Sequence, residues 1–184
     1  MCSPKGAGFL YARKEVQPLL EPLVVSWGWE ADEPGPSRFV DEQEWQGTRD
    51  IAAYLTVPAA IEFMAAHEWE RVRVRCHELL RGLPGEAHLR GAPHLKRICP
   101  DSAEWYAQMA AFELPACDAG ALKRRLYDEY RVEVPIIEWA PSGEGAGGLR
   151  QFVRVSVQGY NDEADIDALV SALAALLPQV GGKQ

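Results

Sequence analysis

Two short stretches carry residue types that can hold anions. In Gly47-Thr48-Arg49-Asp50, a threonine stands where a helical segment is about to begin. A threonine at a helix start offers its hydroxyl beside the unpaired N–H groups of the first turn. The positive end of the helix dipole adds attraction for negative charge. That is phosphate-binding chemistry, although a plain helix cap uses the same residue with no ligand, and the residues alone favour the cap. In Val153-Arg154-Val155, an arginine alternates with apolar residues, so it faces away from their side of a strand. Its guanidinium fork matches a carboxylate in bidentate geometry. The plainer alternative is a solvent-facing arginine paired with a glutamate. Arg49 and Arg150 are the weaker neighbours of these two candidates, one an exposed helix arginine and the other at a loop edge.

The remaining reactive residue types read as structure. Lys5-Gly6-Ala7-Gly8 lacks the spacing and the Lys-Ser/Thr ending of a P-loop. An activated amine at Lys5 would need burial or a cationic neighbour, and the sequence names neither. Cys2, Cys76, Cys99 and Cys117 form no CxxC pair, and His67, His77, His88 and His94 complete no zinc spacing with them. Neither a structural disulfide nor a metal site is expected. Arg71, Arg73 and Arg75 spread around a helix among Glu68, Glu70 and Glu78, which describes a solvated face. Trp27-Gly28-Trp29 is either a loop packed on a core or the border of a site.

Composition excludes several classes. The 184 residues, 47% hydrophobic and 25% charged, can build an ordinary soluble core. Lys+Arg 19 against Asp+Glu 27 leaves a net charge of -8, without the basic field of a generic nucleic-acid binder. No apolar run approaches the roughly 20 residues of a membrane helix, and the first residues have no signal-peptide pattern. A cytoplasmic location is expected.

The elements that must position the two arginine and threonine candidates follow from periodicity. Gly8 to Ala12 predicts a short strand, and Leu23 to Trp27 is a second apolar run. Asp32 to Arg38, with its prolines and glycine, is a loop; Phe39 to Gln46 gives no clear pattern. A helical segment opens at Thr48, breaks or kinks at Pro58, and resumes from about Ala59 to Leu80, ending near Gly82-Leu83-Pro84-Gly85. Residues 83–100 form a connector. Beyond it come a strand over Met109–Leu114, a helix over Asp118–Tyr130, a strand over Val132–Trp139, a glycine-rich turn over 143–148, a strand over Phe152–Val157, and a last helix capped at Tyr160-Asn161. That order predicts helices layered on an antiparallel-leaning sheet. Residues 1–80 supply about two strands and a helical stretch, too few for an independent sheet, and should expose an apolar face.

Three stretches in order resemble one family: Cys2-Ser3-Pro4-Lys5-Gly6-Ala7-Gly8-Phe9-Leu10-Tyr11-Ala12; Gly47-Thr48-Arg49-Asp50 followed by Tyr54-Leu55-Thr56-Val57-Pro58-Ala59-Ala60; and Val153-Arg154-Val155-Ser156 followed by Tyr160-Asn161 and Asp165-Ile166-Asp167. Together they resemble the C-terminal half of the pyridoxal-phosphate-dependent class V aminotransferases, in the isopenicillin N epimerase-like branch. The resemblance implies an α/β chain holding part of a fold type I transferase. Residues 1–82 would be the end of the large cofactor-binding domain, 83–100 the connector and 101–184 the α+β small domain. It implies that Gly47 and Thr48 contact the phosphate of pyridoxal 5'-phosphate across a dimer, and that Arg154 holds the α-carboxylate of an amino-acid substrate. In that family the covalent lysine sits in a His-Lys-Trp-type motif just before the segment that Cys2–Tyr11 resembles, and these 184 residues carry no such motif. The expectation is a part of an amino-acid-transforming enzyme whose reaction is epimerisation, transamination, β-elimination or desulfuration, with nothing in the sequence selecting among them; it is inactive alone and works as a homodimer or with a partner that carries the missing half. Neither Cys99 nor Cys117 matches a desulfurase nucleophile. The competing expectations are a non-catalytic dimerisation or binding module derived from the family, and an unrelated α+β domain.

Overall fold

The computed structural model describes residues 2–92, 95–140 and 148–181; most of the expected glycine-rich turn at 143–148 lies outside them. The chain divides into two compact units, Met1–His67 and Glu68–Gln184.

The second unit is built on a four-stranded antiparallel sheet of order β1-β2-β4-β3, with β1 Lys96–Arg97, β2 Met109–Leu114, β3 Ile136–Trp139 and β4 Arg150–Ser156. Three helices accompany it: α4 Trp69–Leu89, α5 Ala119–Tyr130 and α6 Glu163–Val180. Alternation assigns the faces. Ala110, Phe112 and Leu114 of β2 stand opposite Val155, Val153 and Gln151 of β4, and the apolar members join one core with Leu80, Leu83, Leu122, Leu126, Val170 and Leu173 of the helices. The strands and helices read from residue 109 onward are all present, with β3 confined to the end of its expected stretch. The last helix is capped by Asp162 rather than Asn161: the Asp162 carboxylate accepts from the Ala164 and Asp165 amides, and Asp165 returns the bond to the Asp162 amide.

Helix α4 corrects two expectations. It does not continue from the preceding helix, because Glu68 takes a left-handed φ of 47° and breaks the run. Nor does it stop at Gly82-Leu83-Pro84-Gly85. Cys76, Leu80, Leu83 and Ala87 recur at helical spacing and are buried, so core packing carries the helix through the proline. Pro84 has no N–H to give the Leu80 carbonyl. That carbonyl instead accepts from Arg97 Nη2 at 3.3 Å, and the Arg81 carbonyl accepts from the same nitrogen at 3.2 Å. Arg97 is held in turn by Asp101 at 3.1 Å and by the rings of Tyr106 and Phe112, 4.9 and 5.6 Å from its guanidinium carbon. Residues 83–89 of the expected connector are therefore helix, and Lys96–Arg97 within it form the edge strand.

The first unit contains no strand among its described residues. The apolar runs at 8–12 and 23–27 remain unpaired and open, with Phe9 84% and Leu23 99% exposed. A strand needs a neighbour for its amides, and none pairs with these runs among the described residues. Helix α1, Arg38–Glu44, starts at Ser37, whose hydroxyl accepts from the Val40 amide. Helices α2, Ala52–Leu55, and α3, Val57–Ala66, are separated at Thr56, with Pro58 in the first turn of α3, where its missing N–H costs nothing. Among the described residues, no helix is long and apolar enough to cross a membrane.

Candidate functional site

Arg154 lies on the face of the sheet turned away from the helices. Its flanking residues Val153 and Val155 are buried while Arg154 is exposed, as the alternation predicts. Its backbone is fixed on both sides: it stands opposite Ala111 of β2, and its amide donates to the Pro135 carbonyl at 3.0 Å. Among the described residues, no carboxylate pairs with its guanidinium. The glutamate-paired arginine on this face is Arg150, whose Nε and Nη2 donate to the two carboxylate oxygens of Glu113 at 2.8 and 2.9 Å. These bonds hold the Glu113 carboxyl below the usual carboxylate range and raise Arg150. Arg150 also lies 5.1 Å from the Phe152 ring and 5.9 Å from that of Trp139. Sequence reasoning missed this cluster. The signal for it was the strand alternation of β2 and β4, which places Glu113, Arg150, Phe152 and Arg154 on one face once the register is known.

The Gly47-Thr48 corner belongs to the first unit and differs from its expected form. Thr48 is not a helix cap. It sits in a bend, exposed, and α2 begins four residues later, where the Asp50 carboxylate accepts from the Ala52 amide at 2.8 Å. The cap position of α2 is Ile51, without a side-chain cap bond, and Asp50 beside it supplies the acceptor for the first helical amide. Gly47 has φ 101°, a left-handed conformation that suits glycine, and a Cβ there would meet nothing within 4 Å. Arg49 leans over Tyr54 at 5.2 Å and donates to Gln46 Oε1 at 2.8 Å and the Glu44 carbonyl at 3.3 Å. Gly47 and Arg49 line a cavity of about 430 Å³ with Trp27, Trp45 and Tyr54. Trp27 thus borders a cavity, while Trp29 packs under Arg38 at 5.9 Å. An open glycine bend with a free hydroxyl beside it fits a phosphate oxygen on the chemistry of its donors, without a helix dipole.

The other reactive residue types behave as surface or packing. Lys5 is exposed in a turn. Arg71 and Arg73 pair with Glu68 and Glu70 one turn away. His77 places Nδ1 3.1 Å from the Tyr106 carbonyl and stacks on that ring. Among the described residues, no group of His, Cys, Asp and Glu could hold a metal ion.

Comparison with known proteins adds the family. The aminotransferase class-V family matches residues 1–169. The isopenicillin N epimerase of Amycolatopsis lactamdurans is 33% identical over 186 residues, 96% of this chain and 44% of that protein. A probable chloroplastic L-cysteine desulfhydrase of Arabidopsis thaliana is 31% identical over 189 residues, 95% of this chain and 37% of that protein. Among solved structures, the cysteine desulfurase CsdA of Escherichia coli superposes with a TM-score of 0.65 at 22% identity, covering 97% of this chain and 44% of that one. The cystine C-S lyase C-DES, solved with cysteine persulfide, gives 0.56 at 18% identity over 94% of this chain and 42% of that one. The chain therefore spans less than half the length of the proteins it matches, and it shares their fold over that span.

Proposed function

The chain belongs to the class V aminotransferase family, and from that premise we propose that each of its two units supplies one anchor, a carboxylate clamp in the second and a phosphate contact in the first, to pyridoxal 5'-phosphate sites acting on amino acids. The carrying observation is Arg154: an exposed arginine on a paired strand, with no carboxylate partner among the described residues, while its neighbour Arg150 is bonded to Glu113 through Nε and Nη2. Pyridoxal phosphate, when bound, supplies an electron sink for bonds at the substrate α-carbon. Arg154 contributes the orienting step. Its fork takes the two oxygens of the α-carboxylate, and β4 fixes the angle at which the amino acid is presented. Thr48 contributes its hydroxyl, and the open bend at Gly47 its room, to a phosphate oxygen. The covalent lysine comes from polypeptide outside these residues, so the chain alone does no chemistry, and the working unit is a homodimer or an assembly with the remaining half. The reaction class follows the epimerase-like relatives, with cysteine desulfhydration as the second reading, supported by the desulfhydrase relatives.

The test is borohydride reduction of the purified chain after incubation with pyridoxal phosphate, followed by peptide mass spectrometry. The expected result is no stoichiometric pyridoxyl label on any lysine, Lys5 included. A single lysine labelled to completion would overturn the proposal. In an assembled active enzyme, Arg154→Gln should lower kcat/KM for an amino acid by about 10- to 100-fold, the weight of a charged hydrogen-bond pair.

A further inference from the structure

Glu113 has a choice of arginines. It stands directly opposite Phe152, and Arg150 and Arg154 each lie two residues from Phe152 along β4. Both are thus diagonal neighbours of Glu113 on the same face, at a separation that long side chains span. The structure shows the choice made: Glu113 is held by two bonds from Arg150, and Arg154 is left open. The reason is visible on β3. Trp139 stands opposite Arg150, so the Arg150 guanidinium rests near both the Trp139 and Phe152 rings. Arg154 stands opposite Ala111 and beside Pro135, with no ring near its guanidinium among the described residues.

We propose that Arg150 is a positioning residue that keeps Arg154 available to a substrate carboxylate by occupying Glu113. The proposal rests on the reading of Arg154 as the carboxylate anchor. Without Arg150, the Glu113 carboxylate turns to the other diagonal arginine and competes with the ligand as an internal anion. The pair Glu113–Arg150 is then selected for what it prevents, in addition to what it stabilises. Lys96 is the other cation within reach, since it stands opposite Glu113 on β1, and it is the rival destination for the released carboxylate.

The experiment follows the arginine Nε–H signals of the full chain by 15N NMR, with the Arg154 signal assigned by its loss in Arg154→Lys. Without ligand, the Arg154 signal of Arg150→Leu should shift as the pH crosses the titration of Glu113. That shift should vanish in Arg150→Leu/Glu113→Gln. With acetate as the probe, Arg150→Leu should bind about two- to fivefold more weakly than the wild type, as a surface ion pair can compete. The double variant should recover the wild-type affinity. Arg150→Gln serves the same comparison if leucine disturbs the sheet. An Arg154 signal in Arg150→Leu that ignores the pH, with Lys96 responding instead, would overturn the inference. Failure of acetate to move Arg154 in the wild type, alongside the ligand-free shift in Arg150→Leu, would overturn the carboxylate reading while supporting the choice made by Glu113.

Discussion

At the scale of single residues, the molecule separates side chains that are committed from those that are free. Glu113, Asp101 and Glu129 are committed: bonds from Arg150, from the Tyr106 hydroxyl and from Arg125 hold their carboxyls below the usual range. A carboxyl lowered by folding stabilises the native state above its unfolded value, and that contribution drains as the pH falls through the folded one. Tyr106 has the opposite sign. Burial, helped by its bond to Asp101, pushes its phenol up to about 12. Its contribution is complete below the ordinary phenol value of about 10 and is lost as the pH rises towards the folded value. Thermal melts against pH should therefore fall on both flanks. Glu113→Gln should flatten the acid side, and Tyr106→Phe the alkaline side. Arg154→Gln should leave the melting curve within about 0.5 kcal/mol of wild type, because an exposed unpaired side chain carries little stability.

At the scale of elements, the sequence was most legible where a clean period met a capping residue. Leu122, Leu126, Leu169, Val170 and Leu173 fall on the buried sides those periods define, whereas the cap of the last helix was read one residue early, at Asn161 instead of Asp162. The face of the candidate on β4 was legible for the same reason, since alternation turns Arg154 away from buried Val153 and Val155. The middle of α4 was not. A Gly-Leu-Pro-Gly run carries every local stop signal, and what overrules it is core packing together with an arginine thirteen residues after the proline that no local rule connects to it. This gives a sharp prediction. Arg97→Met should destabilise the second unit by about 1–3 kcal/mol, the cost of leaving a buried carbonyl unpaired. Adding Pro84→Ala should restore part of that loss, because the backbone regains its own donor for Leu80. Denaturant melts of the two single variants and the double would show the coupling; strict additivity would refute it. The expected Thr48 cap fails because α2 begins only at Ala52, whose amide finds the Asp50 carboxylate instead.

At the scale of the whole molecule, the two units differ in how completely they bury themselves. The second has one continuous core, whereas the first leaves Phe9, Leu19, Leu23, Val25 and Trp27 open. Its local fit is still tight in places. A Cβ on Gly28 would lie 1.7 Å from the Asp41 carbonyl oxygen, so Gly28→Ala should displace α1 and lower the helical signal of the first unit. Circular dichroism with limited proteolysis would register it as faster cleavage between residues 2 and 67. In the unaltered chain, proteases should cut the first unit before the second. A second unit digested first would contradict that ranking of burial. The apolar runs of the first unit read as strands in the sequence and form none among the described residues, because strand formation depends on a partner that a sequence window cannot supply.

Ordinary helices loosen from their ends inward. In α4 the middle turn depends on a guanidinium carried by a strand only two residues long. If that slender edge lifts, the helix opens at its centre while both tips hold, so amide exchange along α4 should peak midway and rise and fall in step with the amides of Lys96 and Arg97.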